Sequence, residues 1–168
     1  KGEAATKAAL ATLLAQHLTK APAEGHVVFA GAGPGEPELL TLTARRALHE
    51  ARVVISERLV SPALLELARR EALLLPAGKE GFGAAMSQAD INALIVKHAS
   101  AGVQVLRLKG GDPAVLARLD EEIEACEAHD IAFSIIPGIT AASASAAALG
   151  QSLTKRGRNT EARLVTGH

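Results

Sequence analysis

Hydrophobic positions in this chain follow two rhythms. Short apolar stretches recur at Val27–Ala30, Arg52–Ser56, Leu73–Leu75, Gln104–Leu108 and Ala132–Ile136. Such stretches, bounded by glycine, proline and polar residues, are the signature of buried strands. Between them the apolar residues are spaced for helices. Glu38–Glu50 puts Leu39, Leu42 and Ala47 on one face. Ser61-Pro62 is a serine cap followed by proline at the first helical position. Ser87 and Asp90 cap a helix running to about Ala101. Further helices are expected from about Val115 to His129 and through the alanine-rich stretch to Leu149, and Glu161–Val165 fits a last strand. Strand and helix alternate, so the expectation is an α/β fold: a parallel five-stranded sheet with helices on both faces. Ahead of it, Leu10, Leu13, Leu14 and Leu18 recur at helical spacing, and Lys20–Gly25 reads as a linker. Residues 1–25 are therefore expected to be a helix and linker, and residues 26–168 the α/β domain. The chain opens in helix-forming sequence without an initiator Met, so the helix is expected to join or belong to an upstream domain.

The polar loops sharpen this picture. Each of the first five strands is followed by a loop carrying candidate chemistry, and parallel strands bring those loops to one edge. The first is Gly31-Ala32-Gly33-Pro34-Gly35. It departs from a dinucleotide fingerprint, because Glu36 stands where the packing glycine belongs and Pro34 lacks an amide. It is a tight turn or a ligand floor. Glu57, at the end of strand two, is a carboxylate that can act as a general base or pair with Arg58. Lys79 sits among glycines and is a proton donor or a solvated loop lysine. Lys109-Gly110-Gly111-Asp112-Pro113 lets a ligand approach the backbone, and Asp112 can accept from a ribose or an amine. Pro137-Gly138-Ile139-Thr140-Ala141-Ala142 offers amides and a hydroxyl at a helix start.

Composition narrows the class. The chain has 168 residues, 18 Lys plus Arg against 18 Asp plus Glu, and 2% aromatic residues with no Trp or Tyr. Neither a global charge nor aromatic platforms favour nucleic acid. A single cysteine, Cys126, excludes an internal disulfide framework and a multi-cysteine metal site; it reads as a packing residue. No apolar run reaches the length of about 20 residues that spans a membrane. No metal site, nucleic-acid partner or membrane partner is expected, and the expected location is the cytoplasm.

Together the segments GAGPGEPELLTL, ERLVSP, GK, RLKGGDP, PGITAAS, LTKRG and TGH resemble the uroporphyrinogen-III C-methyltransferases among the tetrapyrrole methylases, the family that includes the methyltransferase part of siroheme synthase. The resemblance runs from about His26 to His168 and corresponds to the N-terminal half of such an enzyme. It implies S-adenosylmethionine as methyl donor and two methylations of uroporphyrinogen III, giving precorrin-2 on the route to siroheme or cobalamin. It implies donor contacts from Pro34, Gly110, Gly111, Asp112, Val115, Thr140 and Ala141. Glu57 would be the proton acceptor and Lys79 the proton donor. Arg118 and Arg156 would meet substrate carboxylates, with Arg58 and Arg107 also available near the edge loops. A homodimer is implied as well.

Several positions depart from the family pattern. The family usually reads Tyr-Asp-Arg-Leu-Val where this chain has Ser56-Glu57-Arg58-Leu59-Val60, and an Arg where Glu80 follows Lys79. After Gly-Gly-Asp-Pro it has Phe-Ile-Phe-Gly-Arg-Gly-Gly-Glu-Glu, against Ala114-Val115-Leu116-Ala117-Arg118-Leu119-Asp120-Glu121-Glu122 here. The usual Thr-His-Arg is Thr154-Lys155-Arg156. These changes fall on the substrate side. The family carries a second α/β domain after the TGH segment, so the chain alone is expected to be a weak donor binder and a poor catalyst. Two alternatives remain at this level: a catalytically impaired tetrapyrrole- or donor-binding homologue, and a nicotinamide-dependent oxidoreductase read from the first loop alone.

Overall fold

The computed structural model describes residues 5–9, 24–78 and 86–166. Residues 5–9 are helical and exposed. The rest of the expected N-terminal helix, the loop segment with Lys79, and the end of the TGH segment lie outside the described residues.

Five strands form one sheet: β1 (His26–Gly31), β2 (Val53–Ser56), β3 (Leu73–Pro76), β4 (Gln104–Lys109) and β5 (Ala132–Ile136). Their order is β3-β2-β4-β1-β5, and every pairing is parallel. The helices are α1 (Leu42–Glu50), α2 (Pro62–Leu65), α3 (Gln88–Ser100), α4 (Leu119–Glu127) and α5 (Ala141–Ala148). The expected five-stranded parallel sheet with helices on both faces is present.

Side chains alternate across a strand, and the two faces separate cleanly. Val28, Ala30, Val54, Leu106 and Leu108 pack with Ala44 and Leu48 of α1 and Leu64 of α2. Val27, Phe29, Val53, Ile55 and Val105 pack with Ile91 and Ile95 of α3 and Leu119 and Cys126 of α4. Each fully buried Val, Leu, Ile or Phe among these contributes about 1.5–3 kcal/mol relative to exposure. Phe29 also meets Phe133 edge-on, with ring centroids 6.0 Å apart. Cys126 is the packing residue its surroundings suggested. Burial, then the charges of Glu122 and Glu127, push its thiol up to about 11.

Four expectations change in detail. The stretch from Glu38 is not one helix. A 3-10 turn over Pro37–Leu39 ends at Leu40, and the Thr41 hydroxyl accepts from the Ala44 amide to start α1 afresh. The restart rotates the helix, so Ala44 and Leu48 face the core while Leu42 is 79% exposed. Helix α4 begins at Leu119 rather than Val115, because Leu116 and Arg118 adopt left-handed backbone with φ of 53° and 51°. Residues 160–166 form no strand. The Ser87–Asp90 capping box of α3, by contrast, is present with both reciprocal bonds. Helix α5 buries none of its residues. Among the described residues no helix is long and apolar enough to cross a membrane.

Candidate functional site

The loops beyond the carboxyl ends of the strands meet, and backbone contact holds them together. The Gly33 and Gly111 amides each donate to the other's carbonyl, at 3.1 and 2.8 Å. Gly31 and Gly138 lie back to back: a Cβ on Gly138 would stand 2.1 Å from the Gly111 carbonyl oxygen and 2.8 Å from the Gly31 Cα. No other residue fits this crossing. Asp112 completes the stitching, with one oxygen accepting from the Ala114 amide at 2.8 Å and the other from the Gly138 amide at 2.9 Å. Its carboxylate thus ties the loop after β4 to the loop after β5.

Over this crossing lies a cavity of about 570 Å³, within the size range of small-molecule sites. Pro34, Glu57, Gly110, Gly111, Asp112, Val115, Thr140 and Ala141 all line it. These residues come from four loops spread over more than a hundred positions, and the sequence singled out every one. The Thr140 hydroxyl accepts from the Ser143 amide at 3.1 Å and caps α5, whose first turn opens on the cavity through Ala141 and Ala142. Gly111 has left-handed backbone, with φ of 66°, which favours glycine at this turn over the floor.

Glu57 is half-buried at the cavity floor. Its Oε2 accepts from the Gly110 amide at 3.0 Å, and its Oε1 lies 3.2 Å from Lys109 Nζ and 3.4 Å from an Arg107 terminal nitrogen. The alternative pairing with Arg58 is therefore not the one formed. Arg107 is 2% exposed. Its Nε donates to Glu122 at 2.9 Å, so it is unavailable to a ligand, against the sequence expectation for that residue.

Arg118 and Arg156 do not line the cavity. Arg118 is exposed and forms a two-pronged pair with Glu121, at 2.6 and 2.8 Å, which holds its guanidinium above its ordinary value. Arg156 lies exposed in the turn closed by the Lys155–Asn159 bridge. The sequence reading missed Leu59, Arg163, Leu164 and Val165 on the cavity wall. Leu59 lies two residues after Glu57 and shares its loop, which was the available signal. The segment around Leu164 carried none beyond its apolar character. No group of His, Cys, Asp and Glu suited to a metal occurs among the described residues.

The profile of the Tetrapyrrole (Corrin/Porphyrin) Methylases matches residues 26–163. The chain belongs to the tetrapyrrole methylase family. It is 51% identical over 146 residues to a siroheme synthase of Pseudomonas paraeruginosa, a match covering 87% of this chain and 31% of that protein. A siroheme synthase of Pseudomonas aeruginosa is 49% identical over 159 residues, with 93% of this chain and 34% of that protein covered. The chain thus spans about a third of the length of the curated relatives it matches. Among solved structures, a uroporphyrin-III C-methyltransferase from Thermus thermophilus superposes with a TM-score of 0.70 at 42% identity, over 80% of this chain and 56% of that one. A Thermus thermophilus uroporphyrin-III C-methyl transferase complexed with S-adenyl homocysteine gives 0.67 at 41% identity, over 82% and 53%. The fold of this tetrapyrrole methylase segment is accordingly that of its relatives, and its glycine crossing and cavity sit at the sheet edge where open α/β sheets bind ligands.

Proposed function

We propose that the cavity binds S-adenosylmethionine and that this chain is the donor-binding part of a uroporphyrinogen-III C-methyltransferase, making precorrin-2 for siroheme or cobalamin. The observation that carries the reading is the convergence of Pro34, Glu57, Gly110, Gly111, Asp112, Val115, Thr140 and Ala141 on one cavity. The relatives' names support it.

The residues fit such a donor. The amides at the start of α5 suit a carboxylate group. Gly110 and Gly111 leave the floor open to a flat, hydrogen-bonding ligand, and Val115, Leu116 and Val165 supply an apolar wall. The bound donor supplies a sulfonium methyl group that a pyrrole carbon can attack without a metal. The chain's part is to hold both partners in line, which alone is a large share of such a barrier. Methylation leaves the ring cationic. Glu57 faces the cavity and is the proposed acceptor of the proton the ring sheds, the N–H or C–H electron pair returning to the ring. Lys79 is the proposed proton donor, and Arg118 and Arg156 are proposed to meet substrate carboxylates, for which the planar fork of Arg is suited. We also propose a homodimer, a cytoplasmic location, a linker role for residues 1–25, and a second α/β domain closing the site over residues 26–168. The greater length of the relatives supports that last element.

The test is a chimera in which this chain replaces the matching third of the Pseudomonas aeruginosa siroheme synthase. Label from methyl-tritiated S-adenosylmethionine should pass to uroporphyrinogen III. A folded chimera that transfers none, beside an active parent enzyme, contradicts the reading.

A further inference from the structure

A cluster of four charged side chains lies under the cavity floor, and the proposed chemistry uses only one of them. Arg107 and Lys109 alternate on β4 and so point to the same face of the sheet. Glu57 follows β2 on that same face, continuing from Val53 and Ile55, and Ile55 is the register partner of Arg107. Helix α4 covers this face and brings in Glu122. Lys109 Nζ donates to Glu122 Oε2 at 2.9 Å and lies 3.2 Å from Glu57 Oε1. Arg107 reaches Glu122 at 2.9 Å and Glu57 at 3.4 Å. Arg107, Lys109 and Glu122 are 2%, 1% and 0% exposed, while Glu57 is 29% exposed. Two cations and two anions balance, and every buried side-chain nitrogen and oxygen among the described residues has a partner.

Besides lining the cavity itself, Glu57 ties the cluster to the ligand-side loop by one bond. The remaining Glu57 oxygen accepts from the Gly110 amide at 3.0 Å. Gly110 begins the loop whose next residues are tied to Gly33 and Gly138. Take away the carboxylate and the first of that loop's three anchors is gone. Take away Lys109 and the carboxylate loses the nearer of its two cations. Leaving a buried charge without its partner is strongly unfavourable, so each member of the cluster helps hold the others in place.

We propose that Glu57, Lys109, Arg107 and Glu122 form a charge-balanced strut that sets the shape of the Gly110–Asp112 loop, making Lys109 and Arg107 positioning residues for ligand binding although neither lines the cavity. This rests on the donor reading for the identity of the ligand, not for the strut. A residue serving only as proton acceptor affects turnover and leaves affinity for the demethylated donor unchanged. A strut affects that affinity directly.

The experiment is an amide NMR titration of this chain with S-adenosylhomocysteine, paired with hydrogen exchange at the Gly110 amide. Glu57→Ala and Lys109→Met should each weaken binding about tenfold and speed Gly110 exchange by a similar factor, the scale of one charge-assisted hydrogen bond. Lys109→Arg should recover most of both. If Lys109→Met does not fold, Glu57→Ala decides, since that side chain is part-exposed. Unchanged Gly110 exchange in Glu57→Ala overturns the strut whatever the affinity, because Glu57 also lines the cavity. If the unsubstituted chain does not respond to S-adenosylhomocysteine, the donor reading fails, and Gly110 exchange alone judges the strut.

Discussion

The floor and the wall of the cavity are built in opposite ways. The floor is a crossing of loops after β1, β4 and β5, joined by reciprocal amide bonds and by the Asp112 carboxylate, with Glu57 anchored below. Gly31 and Gly138 touch backbone so closely that neither has room for a Cβ. The wall is formed by Val115, Leu116 and Ala117 and by Arg163, Leu164 and Val165, which belong to no helix or strand. Leu116 is 60% and Val165 79% exposed. Arg163 is paired with Glu161 in solvent. The floor is held by several independent contacts. The wall is lightly held, and there the chain also departs from the family pattern.

The largest effect that would break this contrast is at the crossing. Gly138→Ala places a methyl 2.1 Å from the Gly111 carbonyl oxygen, so backbone must move. The expected loss is about 3 kcal/mol or more, read from urea unfolding. A loss within 0.5 kcal/mol, about the scale of a neutral surface change, would show that the floor is no tighter than the wall.

A second effect comes from beneath the floor. The Cys126 thiol is raised from 9.0 to about 11. Below pH 9.0 the folded and unfolded chains hold this proton alike. Between those two values the unfolded thiol ionises while the folded one stays protonated, so stability should fall with rising pH across that window. Urea midpoints measured at stepped pH check this, with a Cys126→Ala variant as control. A slope that persists in the variant would assign the loss to other groups.

The smallest effect belongs to the wall and has the opposite sign to the first. Leu116 holds a left-handed backbone at φ 53°, a conformation costing a side chain about 1–2 kcal/mol. Leu116→Gly relieves that strain and gives part of it back as unfolded-chain entropy. The expected change is a gain of less than about 1 kcal/mol. A marked loss in the same unfolding measurement would mean that the wall is as constrained as the floor.

The floor was legible in the sequence because its residues announce themselves. Gly110-Gly111-Asp112 and Pro137-Gly138-Ile139-Thr140 each follow an apolar run, and parallel topology then carries them to one edge. The charged cluster was not legible. Gln104–Leu108 reads as a buried strand, but a strand pattern does not say what a buried Arg107 or Lys109 on one face pairs with, and Arg107 reads as available to ligand carboxylates. Only the placement of α4 over that face, with Glu122 between the two cations, turns it into a core. The start of α4 was missed for a local reason. Nothing in Val115–Arg118 forbids a helix, and the left-handed turns at Leu116 and Arg118 are imposed by the loop's route over the floor. Leu164 and Val165 read as part of a last strand, but the segment pairs with no described strand and reaches the cavity as an irregular chain.

The central claim, that the glycine floor is a donor site, is tested most directly by following backbone amides of this chain during titration with S-adenosylhomocysteine. Saturable shifts are expected at Gly33, Gly110, Gly111, Thr140, Ala141 and Ala142, with a dissociation constant weaker than about 10 μM for the chain alone, and no such shifts with NAD. Shifts confined to the opposite end of the sheet, near Gly102 and His129, or none at the floor at millimolar ligand, would contradict it.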